Sequence, residues 1–423
     1  MKGYEVLAGA LCTSADHCYA IPGYPVTELA GETRAELVGA EKVALEYALG
    51  DSISGERAAV IMKNVGLNAC ADPLVQATTQ GLAGGVVIVS GDDPLAEAST
   101  SAMDSRYYGE LAQVPVLEPG PEVCARSVEE AFVVSEKFSR IAILRITPQL
   151  IYGEAVSETV HRKPGRGQIA DPGLTMKGRE DLALSRLQAM FEWSKSSGLN
   201  RLKGGIGGVG AASGNSRIVT VYPPPAKLDS CESINEIGRP FVSEHRNIRP
   251  PAMVPSPQTS ENRGFYRTFC RNCPFLPVFD ILKRKRIPVI PDAGCSILTL
   301  NPPYRIGTAS YGLGSAIGVA ARSTRVALIG DYALLHSGLQ SLIDVYEKEL
   351  PLLCIVLENR CMGMTGGQTA PSPGHYIRWA DPRIVDSSDA GLLEELLTIP
   401  EGPVTVVVQG TCPEGRHHET VEC

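Results

Sequence analysis

Two side chains with metal-binding oxygens follow two apolar runs in the second half of the sequence. Asp331 ends the run in VALIGDYALLHSGL (326–339), and Asn359 ends the next run, 28 residues later. Because the carboxyl ends of neighbouring parallel strands meet at one edge of a sheet, these oxygens are expected to share a hard cation. A helix starting after Asp331 would also offer free N–H groups to phosphate oxygens. The pattern indicates Mg²⁺ with a diphosphate; its alternative is a helix-capping Asp and an unrelated Asn in a turn.

Four cysteines form a second candidate site. Cys270 and Cys273 form a Cys-x-x-Cys pair, Cys295 lies in DAGCS, and Cys412 follows the last apolar run. Such a pair is typical of a redox site, half of a zinc site, or two core thiols. Four thiolates hold a tetrahedral zinc or a 4Fe–4S cluster equally well by count. The other cysteines are expected to be small buried residues or surface thiols, at positions 12, 18, 70, 124, 231, 354, 361 and 423.

The composition favours a globular protein of two or three domains, with 423 residues, 43% hydrophobic and 20% charged. The net charge of −8 argues against a basic groove for nucleic acid. No apolar run approaches the roughly 20 residues of a membrane span. Glu5 interrupts the apolar N-terminal stretch, so we expect no export signal and a cytoplasmic protein. Twelve cysteines then point to metal, cluster or thiol chemistry more than to disulfides.

The elements that must position these residues alternate between strands and helices. Residues 1–155 and 263–423 each show this alternation, which predicts α/β architecture with two parallel-sheet domains. A helix is expected at 40–50, with Val43, Ala44 and Ala48 along one face. Strands are expected at 58–64, 84–94, 141–148, 325–331, 351–359 and 403–410.

Residues 156–262 differ from both flanking regions. Pro and Gly are dense there, as in KGGIGGVGAASGNS and VYPPPAK, and the hydrophobic periodicity is broken. The pattern predicts an irregular, shortened middle segment, either a linker or a reduced domain, with one short strand at 217–222.

The segment GDYALLHSGLQSLIDVYEKELPLLCIVLENRCMGMTGGQ (330–368) resembles the thiamine diphosphate and Mg²⁺ motif, a Gly-Asp-x followed later by Asn. It is most similar to the form found in the large subunit of indolepyruvate ferredoxin oxidoreductase, one of the thiamine diphosphate-dependent 2-oxoacid:ferredoxin oxidoreductases. The resemblance implies that Asp331 and Asn359 ligate Mg²⁺ through their side chains and that Cys361 adds its backbone carbonyl. Gly330 is then expected to lie close to the diphosphate.

The same resemblance implies that Tyr332, Met364 and Thr365 contact the cofactor. His336 follows the diphosphate turn and is a candidate for moving protons. Its alternative is a histidine at a helix start whose ring is satisfied by the backbone.

Residues 1–150 resemble the pyrimidine-binding unit of this family. The matching segments are AIPGYPVTEL (20–29), AEKVALEYALG (40–50), MKNVGLNACADPL (62–74), VIVSGDDP (87–94), DSRYYG (104–109) and PVLEPG (115–120). Thiamine is activated when a carboxyl group hydrogen-bonds N1′ of its aminopyrimidine, which promotes loss of the C2 proton. By its place in the motif Glu41 is implied to be that group, and its alternative is a solvated surface glutamate. Such sites usually lie between two chains, which implies a homodimer.

In this family the diphosphate unit also holds a proximal 4Fe–4S cluster. Its ligands are a Cys-x-x-Cys pair, a Cys in a Gly-Cys segment and one late Cys, which the resemblance places at Cys270, Cys273, Cys295 and Cys412. The resemblance further implies a smaller partner subunit, a ferredoxin as electron acceptor, coenzyme A, and a 2-oxo acid substrate, with an aryl pyruvate as the family expectation.

The positions expected to face the substrate depart from the family pattern. Tyr24 stands where the family has a small threonine, and Asn64, beside Lys63, stands where it has a histidine. Phe275 replaces a titratable ring after the Cys-x-x-Cys pair. The family's large subunit also ends in a ferredoxin-like domain with two more clusters, and no Cys-x-x-Cys-x-x-Cys run is found here. Electrons are therefore expected to pass to another chain.

Three hypotheses follow from these residues. The first is an oxidoreductase that decarboxylates a 2-oxo acid and passes electrons through the cluster to ferredoxin. The second is a non-oxidative thiamine diphosphate-dependent decarboxylase or carboligase, which does not need Cys412. The third is an inactive scaffold subunit, against which the joint presence of Glu41, Asp331 and Asn359 argues.

Overall fold

The computed structural model describes residues 1–93, 97–99, 103–196, 202–203, 219–220, 233–234, 264–413 and 417–422. The chain divides into two compact units. Unit 1 comprises Met1–Ile169 and Glu180–Ser256, and unit 2 comprises Ala170–Arg179 and Pro257–Cys423. Of the predicted middle segment, residues 156–196 and three two-residue strands are described. The rest of that prediction, including VYPPP, lies outside the described residues.

Unit 1 is built on a seven-stranded sheet in the order β2-β1-β3-β4-β6-β5-β8. Neighbours among β1 to β6 pair in parallel, and β8 joins β5 antiparallel. Strands β3 and β4 are apolar on both faces because helices cover the sheet on either side. The strands of unit 1 are β1 (His17–Ile21), β2 (Glu36–Leu37), β3 (Ala58–Lys63), β4 (Val86–Gly91), β5 (Val116–Glu118), β6 (Ala142–Ile146), β7 (Leu202–Lys203), β8 (Val219–Thr220) and β9 (Ser233–Ile234).

The helices of unit 1 are α1 (Gly3–Ser14), α2 (Thr27–Glu32), α3 (Glu41–Ser54), α4 (Leu67–Gln80), α5 (Arg106–Ala112), α6 (Cys124–Phe138), α7 (Pro148–Tyr152) and α8 (Met176–Ser196), of which α8 begins in residues assigned to unit 2. Helices α1, α2, α6, α7 and α8 share one large apolar core with the sheet. Helix α3 differs from its prediction, since its residues from Lys42 to Ser52 are buried on every side and not along one face. The charged pair Lys42–Glu46 compensates for this burial within the helix.

Unit 2 contains a five-stranded parallel sheet in the order β11-β12-β13-β15-β14. A separate antiparallel pair, β10 with β16, joins the segment before the sheet to the segment after it. The strands are β10 (Phe265–Arg267), β11 (Ile290–Pro291), β12 (Val326–Gly330), β13 (Leu352–Glu358), β14 (Arg383–Asp386), β15 (Pro403–Gln409) and β16 (Thr420–Glu422). The helices are α9 (Leu276–Arg284), α10 (Ala316–Ala321), α11 (Asp331–Ala333), α12 (Leu339–Glu347) and α13 (Ala390–Leu396).

The predicted α/β class with parallel sheets is confirmed. The strands predicted at 58–64, 84–94, 141–148, 325–331, 351–359 and 403–410 all occur, each shorter than its prediction by one to five residues. Of the strand predicted at 217–222, Val219–Thr220 is a strand and the flanking positions lie outside the described residues. No helix in the described part of the chain is long and apolar enough to cross a membrane.

A buried arginine fixes the extended segment that follows β6 and α7. Arg57 bonds Glu129 at 3.0 Å and Glu136 at 2.7 Å, both on α6, and donates to the Lys163 carbonyl at 2.9 Å. Its side chain is 2% exposed and those of the two glutamates 3% and 4%. Removing such a cation leaves two buried carboxylates uncompensated, which is far more costly than losing a surface ion pair.

We expect Arg57→Met to lower the free energy of unfolding by about 3–5 kcal/mol. The matched control is Arg162→Met, since Arg162 pairs with Asp16 at 2.6 Å but keeps 41% of its side chain exposed. The control should cost less than about 1 kcal/mol. Urea unfolding followed by circular dichroism measures both, and equal losses would contradict this account.

Candidate functional site

The site in unit 2 is organised by Asp331, which follows β12 at the carboxyl edge of the sheet. Its Oδ1 accepts the Tyr332 N–H at 2.7 Å, and its Oδ2 accepts the N–H groups of Asn359 at 3.1 Å and Arg360 at 2.6 Å. Burial raises the pKa of the Asp331 carboxyl above its ordinary value, although the three N–H donors oppose the shift. Arg360, whose N–H makes the shortest of these bonds, has a φ of 52°, in the left-handed region.

Asn359 and Cys361 follow β13, the strand beside β12. The Asn359 Oδ1 accepts the Cys361 N–H at 3.1 Å, and the Asn359 Nδ2 donates to the Cys412 sulfur at 3.1 Å. The Cys361 carbonyl accepts the Gly363 N–H at 2.9 Å. The structure thus brings the predicted carboxylate, amide and carbonyl groups to two adjacent strand ends.

This set of oxygen atoms fits a hard cation held against phosphate. A carboxylate, an amide oxygen and a backbone carbonyl are ligands that Mg²⁺ accepts, and Mg²⁺ commonly takes further oxygens from phosphates. A Cβ built on Gly330 would meet nothing within 4 Å, so the backbone before Asp331 is open to a large group. Tyr332, Met364 and Thr365 line the same cavity.

His336 lies apart from this cavity. It is exposed in a single π-helical turn, Leu334–Gly338, between α11 and α12. Its Nδ1 lies 3.1 Å from the Ser337 hydroxyl, and its ring lies 5.7 Å from the ring of Tyr332. His336 is not among the residues that line the cavity.

The four predicted cysteines line the cavity that holds Asp331 and Asn359. The antiparallel pairing of β10 with β16 explains this, since the chain after β15 returns beside the segment that carries Cys270 and Cys273. The Thr268 N–H donates to the Glu419 carbonyl at 2.7 Å and extends the pairing toward the cysteines. Cys295 reaches the cavity from the turn after β11.

The four thiols influence one another without forming a closed tetrahedron. Burial, followed by the neighbouring thiols, raises the pKa of Cys273 to about 11 and that of Cys295 to about 12. In the described part of the chain, no three of the four sulfur atoms lie within 4.8 Å of one another. Tetrahedral zinc with bonds of about 2.3 Å would hold them about 3.8 Å apart. A cluster places iron and sulfide between its thiolates and therefore needs a wider spacing than zinc.

Two further groups in this cavity were not predicted from the sequence. His418 Nε2 lies 3.5 Å from the Cys295 sulfur, and the Cys361 thiol is near enough to contribute to the raised Cys295 pKa. The only sequence signal for His418 is the pair His417-His418 shortly after Cys412. One wall of the cavity is aromatic, formed by Phe269, Phe275 and Phe279.

In unit 1, Glu41 is the first residue of α3 and lies against Gly66. Gly66 belongs to the 3₁₀ turn Asn64–Gly66 that follows β3. A Cβ built on Gly66 would lie 2.6 Å from the Glu41 Cγ and 2.9 Å from its Oε1. The absence of a side chain at position 66 therefore determines where the Glu41 carboxyl group lies.

The three predicted substrate-facing residues all donate hydrogen bonds to residues in the chain after β4. The Tyr24 hydroxyl donates to the Glu97 carboxylate at 2.8 Å, and the Lys63 Nζ donates to the Ala98 carbonyl at 2.9 Å. The Asn64 Nδ2 donates to the Met103 carbonyl. Burial and the Glu97 carboxylate raise the pKa of Tyr24 to about 12, so its hydroxyl remains a donor.

Among the described residues of unit 1, one group of side chains has metal-ligand chemistry. His17, Asp51 and Glu56 place one ligand atom each within 4.8 Å of the others. These groups already have partners, since His17 bonds Glu56 at 2.9 Å and the Tyr19 hydroxyl donates to Asp51 at 2.7 Å. These two contacts account for the positions of the three side chains without a metal ion.

Comparison with known proteins identifies relatives over most of the chain. Residues 293–385 match the family described as thiamine pyrophosphate enzyme, C-terminal TPP binding domain. The chain is 27% identical to the indolepyruvate oxidoreductase subunit IorA of Archaeoglobus fulgidus, over 88% of this chain and 77% of that protein. It is 26% identical to the IorA subunit of Thermococcus kodakarensis, over 91% of this chain and 78% of that protein.

Solved structures share the fold at low sequence identity. A thiamine diphosphate-dependent 4-hydroxybenzoylformate decarboxylase from Rhodococcus jostii aligns with a TM-score of 0.58 and 15% identity, over 98% of this chain and all of that one. Benzoylformate decarboxylase from Polynucleobacter necessarius aligns with a TM-score of 0.59 and 14% identity, over 97% of this chain and 98% of that one.

Proposed function

Because this chain is similar to the IorA subunits of indolepyruvate oxidoreductase and matches a thiamine pyrophosphate-binding domain, we propose that it catalyses thiamine diphosphate-dependent oxidative decarboxylation of a 2-oxo acid. The proposed substrate class is an aryl pyruvate, with coenzyme A as acyl acceptor and a ferredoxin as electron acceptor. One observation carries the proposal: a single cavity in unit 2 is lined both by the oxygen ligands for Mg²⁺–diphosphate and by four cysteines.

The proposed Mg²⁺ ligands are the Asp331 carboxylate, the Asn359 Oδ1 and the Cys361 carbonyl, with Gly330 against the diphosphate. Asp331 would serve two purposes, since its bonds to the Asn359 and Arg360 N–H groups hold both strand ends in place for the cation. Thiamine diphosphate, when bound, supplies the carbon nucleophile and the electron sink that decarboxylation of a 2-oxo acid requires.

Glu41 is the proposed acid–base group of unit 1. Its carboxyl group would hold or release a proton at the N1′ atom of the cofactor's aminopyrimidine. The support is its position at the start of α3, where Gly66 leaves room for its side chain. Tyr24, Lys63 and Asn64 are proposed to orient the substrate. His336 stays a candidate for proton transfer, although it does not line the unit 2 cavity. That the active site forms between two copies of the chain remains a prediction.

Cys270, Cys273, Cys295 and Cys412 are the proposed ligands of one 4Fe–4S cluster, which would carry electrons singly. The support is that all four thiols line one cavity. Burial and mutual proximity make these thiols costly to ionise alone, and a cationic cluster core would compensate for four thiolates. The relatives are named as one subunit of an oxidoreductase, which supports a smaller partner subunit here.

A second candidate function is non-oxidative decarboxylation or carboligation. The observation that favours it is the altered set of substrate-facing residues, with Tyr24 bonded to Glu97 and Phe275 in the cavity wall. An inactive scaffold subunit is the third candidate. Iron content separates the first candidate from the other two, and dependence of turnover on Glu41 separates both enzymes from the scaffold.

The decisive experiment is purification of the chain without oxygen, followed by measurement of iron, acid-labile sulfide and zinc. We expect about four iron and four sulfide per chain, with absorption near 400 nm that dithionite bleaches. Binding of thiamine diphosphate should require Mg²⁺. A folded chain that binds the cofactor but holds no iron would exclude the oxidoreductase and leave the non-oxidative enzyme and the scaffold, which the dependence of turnover on Glu41 separates.

Single substitutions test which thiols hold the cluster. Each of four single alanine variants should lose most of the bound iron, because each loses a cluster ligand. The substituted residues are Cys270, Cys273, Cys295 and Cys412. The matched control is Cys361→Ala, which deletes a thiol of the same cavity and keeps the backbone carbonyl. Iron should stay at the wild-type level in the control, and unchanged iron in Cys412→Ala would contradict the assignment.

The position of Glu41 is tested without changing Glu41 itself. Gly66→Ala introduces a Cβ that displaces the glutamate side chain, so turnover should fall toward that of Glu41→Gln, about 10²–10⁴-fold. Gly9→Ala is the control, because a Cβ on that helix residue meets nothing within 4 Å. Gly66→Ala and Gly9→Ala should both keep the wild-type thermal midpoint of unfolding. Full activity in Gly66→Ala would argue against Glu41 as the acid–base group.

A further inference from the structure

The amide of Asn359 joins the two groups of proposed ligands in the unit 2 cavity. Its Oδ1 is the proposed Mg²⁺ ligand, and its Nδ2 donates to the sulfur of Cys412 at 3.1 Å. Resting on the proposed function, we propose that Asn359 couples the Mg²⁺–diphosphate site to the cluster, so that cofactor binding raises the reduction potential of the cluster.

The orientation of this amide is fixed by its surroundings. Oδ1 accepts the Cys361 N–H at 3.1 Å, and the Asn359 backbone N–H donates to Asp331 at 3.1 Å. Exchanging Oδ1 and Nδ2 would set an NH₂ group against the Cys361 N–H and leave the Cys412 sulfur facing an oxygen. The geometry therefore assigns the N–H donor to the sulfur and the oxygen to the side of the cation.

The direction of the effect follows from amide chemistry. Because oxygen and nitrogen of an amide share their π electrons, a cation on the oxygen withdraws charge from the nitrogen and makes its N–H a stronger donor. A hydrogen bond to a ligand sulfur stabilises the more negative, reduced state of a cluster and so raises its potential. Mg²⁺–thiamine diphosphate would thereby prepare the cluster to accept an electron.

Thermodynamic linkage gives the coupling a reciprocal form. If the bound cofactor favours the reduced cluster by some factor, the reduced cluster binds the cofactor more tightly by the same factor. Electron uptake without bound cofactor would be disfavoured, which limits wasteful reduction of the cluster when the active site is empty.

The test uses the full chain purified without oxygen, with iron content and Mg²⁺–thiamine diphosphate binding measured first. Redox titration followed by electron paramagnetic resonance then gives the cluster potential with and without Mg²⁺–thiamine diphosphate. The variant is Asn359→Asp, which keeps an oxygen ligand for Mg²⁺ and removes the N–H donor. The control is Asn301→Asp, which makes the same change of charge at a residue outside the cavity, where Asn301 donates to the Arg267 carbonyl at 2.9 Å.

We expect the cofactor to raise the potential in the wild type and in Asn301→Asp and to leave it unchanged in Asn359→Asp. If the cofactor raises the cluster potential equally in Asn359→Asp, the coupling through the amide is overturned. The electric field of the bound cofactor would then explain the shift without the N–H donor. An iron-loaded, cofactor-binding wild type whose potential does not move would also overturn it and leave the proposed function standing. Absence of iron or of cofactor binding would instead overturn the proposed function and this inference together.

A second measurement keeps the inference testable if Asn359→Asp does not fold or holds no iron. The dissociation constant of Mg²⁺–thiamine diphosphate is measured for the wild-type chain with the cluster oxidised and with it reduced. The reduced form should bind more tightly by the factor that corresponds to the potential shift, at about 59 mV per tenfold for one electron. Equal affinities would overturn the coupling.

Discussion

The unit 2 site depends on one buried carboxylate that accepts three backbone N–H groups. Asp331 ends β12, and through Asn359 and Arg360 it holds the turn after β13 at a fixed distance. The positions of Asn359 and Cys361 follow, and through Asn359 so does that of Cys412. A residue that only capped a helix would accept N–H groups from the first turn of that helix. Asp331 also accepts N–H groups from the turn after the neighbouring strand, and so joins two strand ends. The left-handed backbone of Arg360 is stabilised by the same contact.

Unit 1 uses a different means of positioning. There a missing side chain, at Gly66, leaves room for Glu41, and hydrogen bonds to three described residues after β4 hold Tyr24, Lys63 and Asn64. Helix α3 carries Glu41 and is buried on every side, so its first residue is fixed by packing along the rest of the helix. Unit 2 therefore carries its proposed ligands on strand ends, and unit 1 carries its proposed acid–base group at a helix start.

Much of this arrangement could be predicted from the sequence because it follows from strand topology. Asp331 and Asn359 each end an apolar run that is typical of a strand in a parallel sheet. The carboxyl ends of such strands lie along one edge of the sheet. The approach of His418 to Cys295 could not be predicted, since it depends on the antiparallel pairing of two three-residue strands, β10 and β16. The burial of α3 was also missed, because polar residues such as Lys42 and Glu46 interrupt its apolar pattern and satisfy each other inside the protein.

The pairing of β10 with β16 has a consequence for biosynthesis. Two of the four thiols precede the whole sheet of unit 2, and the fourth follows it. Chains leave the ribosome from the N-terminus, so the first pair is exposed well before the last thiol is made. The proposed cluster needs all four cysteines, so it can be completed only after Cys412 has been synthesised, and until then Cys270 and Cys273 would be an incomplete and oxidisable pair. Under the proposed function, iron and sulfide must reach this site after Cys412 has been synthesised.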